Sequence, residues 1–110
     1  MAYDEQLAER VRAVLAGEEG LTERKMFGGL AFMLDGNMAC GIVRDELMLR
    51  LGPEAADRAL DGPHVRQMDF TGQPMPGMVF VTPPGLEGDE LDGWVGQATA
   101  YVRTLPQKAT

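Results

Sequence analysis

Few side chains in this 110-residue sequence are of the kinds that make or break covalent bonds, and their surroundings decide what each can do. There is no serine, so a Ser-His-Asp hydrolase is excluded. The one cysteine, Cys40, lies between Ala39 and Gly41 in an apolar run. A Cys-His pair stays formally open, but a thiol buried there keeps a raised pKa and stays unreactive, so a small core residue is the expected role. The one histidine, His64, follows Pro63 ahead of a strand pattern. A general base also needs an orienting partner and a cleft, so a surface position is the plainer reading. No Cys-x-x-Cys, His-x-x-x-His or EF-hand spacing occurs, and no metal is expected. Fourteen glycines form neither a Gly-x-Gly-x-x-Gly nor a Walker pattern, so no nucleotide cofactor is expected either. The acid pairs Asp45-Glu46 and Asp89-Glu90 mark a turn and a helix start. The chain reads as a non-enzyme without cofactors.

The residues suited to recognition are more informative. Arg24-Lys25 is the only adjacent basic pair in a chain with ten Lys and Arg against seventeen Asp and Glu, a formal net charge of −7. Such a balance argues against direct nucleic-acid binding, whose sequence-independent part comes from cations displacing counterions from phosphate. Met75, between Pro74 and Pro76 and next to Gln73, is an apolar side chain in a stretch of turn formers. Arg24, Lys25, Gln73 and Met75 are therefore the candidate partner-binding residues. Eight methionines are many for this length. Thioethers fill irregular cores, the expected role for most of them, and they also make adaptable binding surfaces. If they instead enclosed an apolar pocket, the alternative would be a small-molecule binding domain.

These residues must be positioned by a single domain, 1–110, with 45% apolar and 25% charged residues. Leu7, Val11, Val14 and Leu15 predict an amphipathic helix over residues 4–16, capped by Asp4 and ended by Gly17. A polar link over 18–23 is followed by three expected antiparallel strands. The first covers about 25–34 with a bend at Gly28-Gly29, and Asp35-Gly36 closes a tight hairpin to the second at 38–43. The third, at 47–51, follows an Arg44-Asp45 turn. Gly52-Pro53 opens a short helix that stops near Leu60. Strands at 65–70 and 78–82 are separated by an expected exposed, semi-rigid loop over 71–77. Leu91, Trp94, Val95, Ala98, Val102 and Leu105 predict a last helix from about Asp89. The fold class is α+β: a two-layer α-β(3)-α-β(2)-α sandwich, an antiparallel sheet with helices on one face. Its expected core is Leu7, Val11, Leu15, Phe32, Leu34, Ile42, Leu47, Leu49, Phe80, Trp94, Val95 and Val102. No apolar stretch is long enough for a signal or a membrane span, and an unpaired cysteine suits a reducing cytoplasm.

The run Arg24-Lys25-Met26-Phe27-Gly28-Gly29-Leu30-Ala31-Phe32, then Asp35-Gly36-Asn37-Met38 and Leu47-Met48-Leu49-Arg50, resembles the N-terminal domain of the TfoX/Sxy family. Residues 68–75, and Trp94-Val95 through Leu105-Pro106 and Lys108, are similar to its small stand-alone members. The motif Met26, Phe27, Gly28, Gly29 with Asp35, Gly36 is structural in this resemblance, which supplies no catalytic residues. It implies the same α-β(3)-α-β(2)-α order. Larger members are bacterial regulators of competence for DNA uptake that act with other transcription factors and carry a second domain. The resemblance therefore implies a stand-alone regulatory domain working through protein partners, a transcription factor among them. No direct nucleic-acid or membrane contact is expected, and a homodimer is compatible with this reading.

Overall fold

Helix α1 (Glu5–Leu15) starts where the sequence indicates, because Asp4 Oδ1 accepts from the backbone N–H of Gln6 at 2.9 Å and of Leu7 at 3.1 Å. It belongs to a computed structural model that describes residues 3–26, 28–70 and 73–106, with residues 26, 68–70 and 73–76 described by backbone alone. The remaining elements are β1 (Leu21–Met26), β2 (Gly29–Leu34), β3 (Asn37–Val43), β4 (Glu46–Arg50), α2 (Pro53–Ala59), β5 (Val65–Phe70), β6 (Gln73–Val81), a 3-10 turn at Pro83–Leu86, and α3 (Glu90–Val102). The strands form one six-stranded sheet in the order β1-β2-β3-β4-β6-β5, antiparallel throughout. The α+β class is as the patterning implies.

Two expectations about the strands are corrected. The first strand is really a hairpin: β1 and β2 pair from Leu21 opposite Leu34 to Met26 opposite Gly29. The "polar link" thus contains half of a strand. The edge position explains its disguise, since β1 has one neighbour and the charged run Glu23-Arg24-Lys25 is solvated while its backbone is paired. The strand count before α2 is four. The second correction concerns the expected loop at 71–77, because β6 begins at Gln73 and its backbone pairs with β5 at Asp69 opposite Pro74 and Phe70 opposite Gln73. Pairing with β4 stops at Arg50 opposite Met78, so the outer part of β6 has a single neighbour. Pro74 and Pro76 are two residues apart and their nitrogens face the same edge. A strand with one neighbour has an edge that needs no donor.

The turns agree with their chemistry. Asp35 (φ 51°) and Gly36 (φ 84°) both take the left-handed region that a type I′ hairpin requires. Arg44 (φ 56°) leads the two-residue turn into β4. Gly52 caps α2 with Pro53 at its first position.

All three helices pack on one side of the sheet. The main core joins Leu7, Val11 and Leu15 of α1, Ala56 of α2, and Leu91, Val95 and Ala98 of α3 to Phe32, Cys40, Ile42, Leu47, Leu49, Val79 and Val81 of the strands. Leu34, Ala39 and Val102 extend it at the far end of α3. Trp94 is a partial exception to the expected core. It packs at the margin, half-buried, because its indole N–H needs an acceptor and finds the Gly85 carbonyl at 3.1 Å. The corner between α3 and the hairpins is closed by Arg103, which donates to Asp35 Oδ2 at 2.9 Å, Glu18 Oε1 at 2.9 Å and the Glu19 carbonyl at 2.8 Å.

Candidate functional site

Side chains alternate across a strand, so each residue under the helices has neighbours on the opposite face of the sheet. That second face carries its own apolar cluster: Met48 and Phe80 in the middle, Met78 beside them, and Met38 and Val43 half-buried at its margin. Met48, Met78 and Phe80 are 0%, 7% and 4% exposed, and among the described residues no helix contributes to the cluster. Phe80, expected in the core, is buried, and on the face of the sheet away from the helices. The four consecutive apolar residues Met78-Val79-Phe80-Val81 carry the signal for this, since a strand buried on both faces does not alternate.

The register sets these residues in a row that crosses the whole sheet. Arg24 of β1 stands opposite Ala31, Ala31 opposite Gly41, Gly41 opposite Met48, Met48 opposite Phe80, and Phe80 opposite Arg66 of β5. Gly41 is required here: a Cβ would meet the Met48 Cε at 2.7 Å and the Leu30 carbonyl oxygen at 2.9 Å. Small residues thus leave room for the methionine to lie across the sheet. At one end of the row the Arg66 guanidinium carbon sits 4.4 Å from the Phe80 ring centroid, a cation-π contact, and Arg66 also pairs with Glu46. At the other end Arg24 is exposed on the edge strand, and Arg50, half-buried, stands opposite Met78 on the same face. An apolar centre bordered by Arg24, Arg50 and Arg66 results, on a chain of net charge −7.

The four residues singled out as partner-binding are not brought together. Arg24 lies on this face. Lys25, its chain neighbour, stands opposite Leu30 and so belongs to the helix side. Gln73 and Met75 lie on β6, whose central residues are four strands from β1, about 19 Å at the usual strand spacing. The side chains of Gln73, Met75 and Met26, and all of Phe27, are outside the described residues. Gly28, Gly29, Asp35 and Gly36 of the family motif occupy hairpin positions, with Gly29 so close to β3 that a Cβ would come within 2.1 Å of the Ile42 carbonyl oxygen. Arg50, Arg66, Met48 and Phe80 were missed as a group because only the pairing register unites them.

The groups with covalent potential are placed otherwise. Cys40 is fully buried in the main core, and desolvation pushes its thiol up to about 12. His64 is half-buried at the start of β5, its carbonyl taking hydrogen bonds from the Thr82 N–H at 2.9 Å and hydroxyl at 3.2 Å. Among the described residues no three His, Cys, Asp or Glu side chains gather as they would to hold a metal ion. None of the four described cavities has a methionine in its walls, and Met48 and Met78 gather instead with Phe80 in the buried cluster on the second face of the sheet. No described helix is long and apolar enough to cross a membrane.

Comparison with known proteins adds one match: the family model of the TfoX N-terminal domain covers residues 13–101. Neither a curated protein nor a solved structure matches the chain.

Proposed function

This chain belongs to the TfoX N-terminal domain family, and from that premise we propose that it is a non-enzymatic interaction domain with a regulatory role, acting in the cytoplasm through a protein partner. Transcription or competence is the kind of process such a role serves, and a transcription factor the kind of partner. The observation that carries the reading is the second sheet face, which no described helix covers and where Arg24, Arg50 and Arg66 stand around the half-buried Met38 and Val43, themselves packed on the buried Met48, Met78 and Phe80. The half-buried thioether of Met38 is free to adapt to a partner's shape, while arginines select a partner of opposite charge. The matching surface is therefore an acidic one with apolar side chains among its carboxylates.

The test compares capture by the native chain and by an Arg24→Glu, Arg50→Glu double variant. Glu54→Lys on the solvent side of α2 serves as the control. The reading requires that a partner held by the native chain and by the control is lost from the double variant at an unchanged unfolding midpoint. Equal retention by all three would remove the sheet face from the function.

A further inference from the structure

A second site lies on the helix side, and its construction begins at Gly85. The 3-10 turn at Pro83–Leu86 presses this residue so closely on the sheet that a Cβ would come within 2.9 Å of both His64 Cβ and Val81 Cγ1. With no side chain there, the Gly85 carbonyl is left to accept the Trp94 indole N–H at 3.1 Å. That bond fixes the ring as one wall of a cavity of about 280 Å³, whose other walls include Pro63, His64, Val65, Val81 and Glu90.

The wall chemistry is selective. The single donor of the indole is engaged, so its π system is what Trp94 has left to offer. Glu90 stands one turn earlier on the same face of α3 and supplies a carboxylate. No lysine or arginine lines the cavity, and among the described residues Glu90 is in no ion pair. An anionic ligand would meet the Glu90 carboxylate, and a neutral polar one would have only His64 and Glu90 to bond between Val and Pro walls. A cation with an apolar body satisfies both: its charge lies against the aromatic ring and the carboxylate, its alkyl groups against Val65, Val81 and Pro63. The net charge of −7 further raises the local concentration of cations. We propose that this cavity is a binding site for a small organic cation of the alkylammonium class. The inference is independent of the protein-partner reading, whose residues lie on the other face of the sheet.

Trp94 is the chain's only tryptophan, so intrinsic fluorescence reports on the site directly. Choline is the probe, and 3,3-dimethylbutanol, of the same shape without the charge, is its control. The expected result is a saturable fluorescence change with choline and binding about tenfold weaker for the alcohol. Glu90→Gln, at an exposed position where the fold is not at stake, is expected to weaken choline about fivefold at an unchanged unfolding midpoint. Absence of a saturable change with choline, equal binding of the alcohol, or unaltered binding in Glu90→Gln would each overturn the proposal.

Discussion

At Cys40 the thiol stands between Phe32 and Leu49 in the register, with no exposure to water, and its pKa rises from an ordinary value near 9 to about 12. The unfolded chain therefore releases this proton first as pH climbs. Stability is unaffected by the group below about pH 9 and falls between about 9 and 12, by up to about 1.4 kcal/mol per pH unit. Urea midpoints of native chain and Cys40→Ala at about pH 8 and about pH 10 check it: the native chain is expected to lose more stability than the variant. Trp94 is the other residue whose surroundings decide its worth. Trp94→Ala removes half-buried ring contacts and the bond to Gly85, an expected loss of about 2 kcal/mol, below the cost of a fully enclosed tryptophan. A loss under about 0.5 kcal/mol in chemical denaturation would show that the ring packs against nothing. The fate of Cys40 was legible from Ala39 and Gly41 beside it. The depth of Trp94 was not, because helical spacing gives a side chain's direction and says nothing of how far the neighbouring turn lets it sink.

Two glycines, one buried and one exposed, make an opposed pair. Gly52, at the start of α2, has φ 87°, and a Cβ there would meet the Tyr101 ring at 2.5 Å. Gly52→Ala is expected to destabilise by at least about 2 kcal/mol through strained backbone and displaced ring together. Gly93, inside α3, has nothing within 4 Å of an added Cβ, so Gly93→Ala is expected to raise the melting midpoint, by about 0.5 to 1 kcal/mol in stability. The opposite signs are the check, read from thermal unfolding of both variants. Elements ended by strong local chemistry were legible, as at Asp35-Gly36 and Gly52-Pro53. Those whose identity rests on a distant neighbour were not. Leu21-Thr22-Glu23 is polar enough to pass for a link until β2 pairs with it, and Pro74 and Pro76 deny a strand until β4 is seen to stop short of them.

Across the whole molecule the charges are unevenly sorted between the layers. The helices carry six acids, Glu5, Glu9, Glu54, Asp57, Glu90 and Asp92, against three arginines, Arg10, Arg12 and Arg58, while Arg24, Arg50 and Arg66 stand with Glu46 on the far face of the sheet. Three arginines do not outweigh a net charge of −7, so the chain is expected to show no saturable binding to a mixed-sequence DNA duplex at physiological salt by fluorescence anisotropy. Partner binding at the arginines should weaken as salt rises. The sign of this sorting is invisible in composition, which sums the two layers. The strand order has a further consequence, for how the sheet comes apart. β1 to β4 are joined as successive hairpins and β5 to β6 as another, so a single seam of four residue pairs, Leu47–Arg50 of β4 against β6, links the two parts of the sheet. Beyond that seam the Gly77 carbonyl takes the Leu51 and Gly52 N–H groups at 2.8 and 3.1 Å, and from there outward β5 is the only strand beside β6. Amide hydrogen exchange is expected to resolve two opening units: slow amides in β2 and β3, released only with the whole domain, and faster ones in β5 that open together while the other strands stay closed. Amides of β5 as slow as those of β3 would mean that the seam is no boundary and that the six strands melt as one.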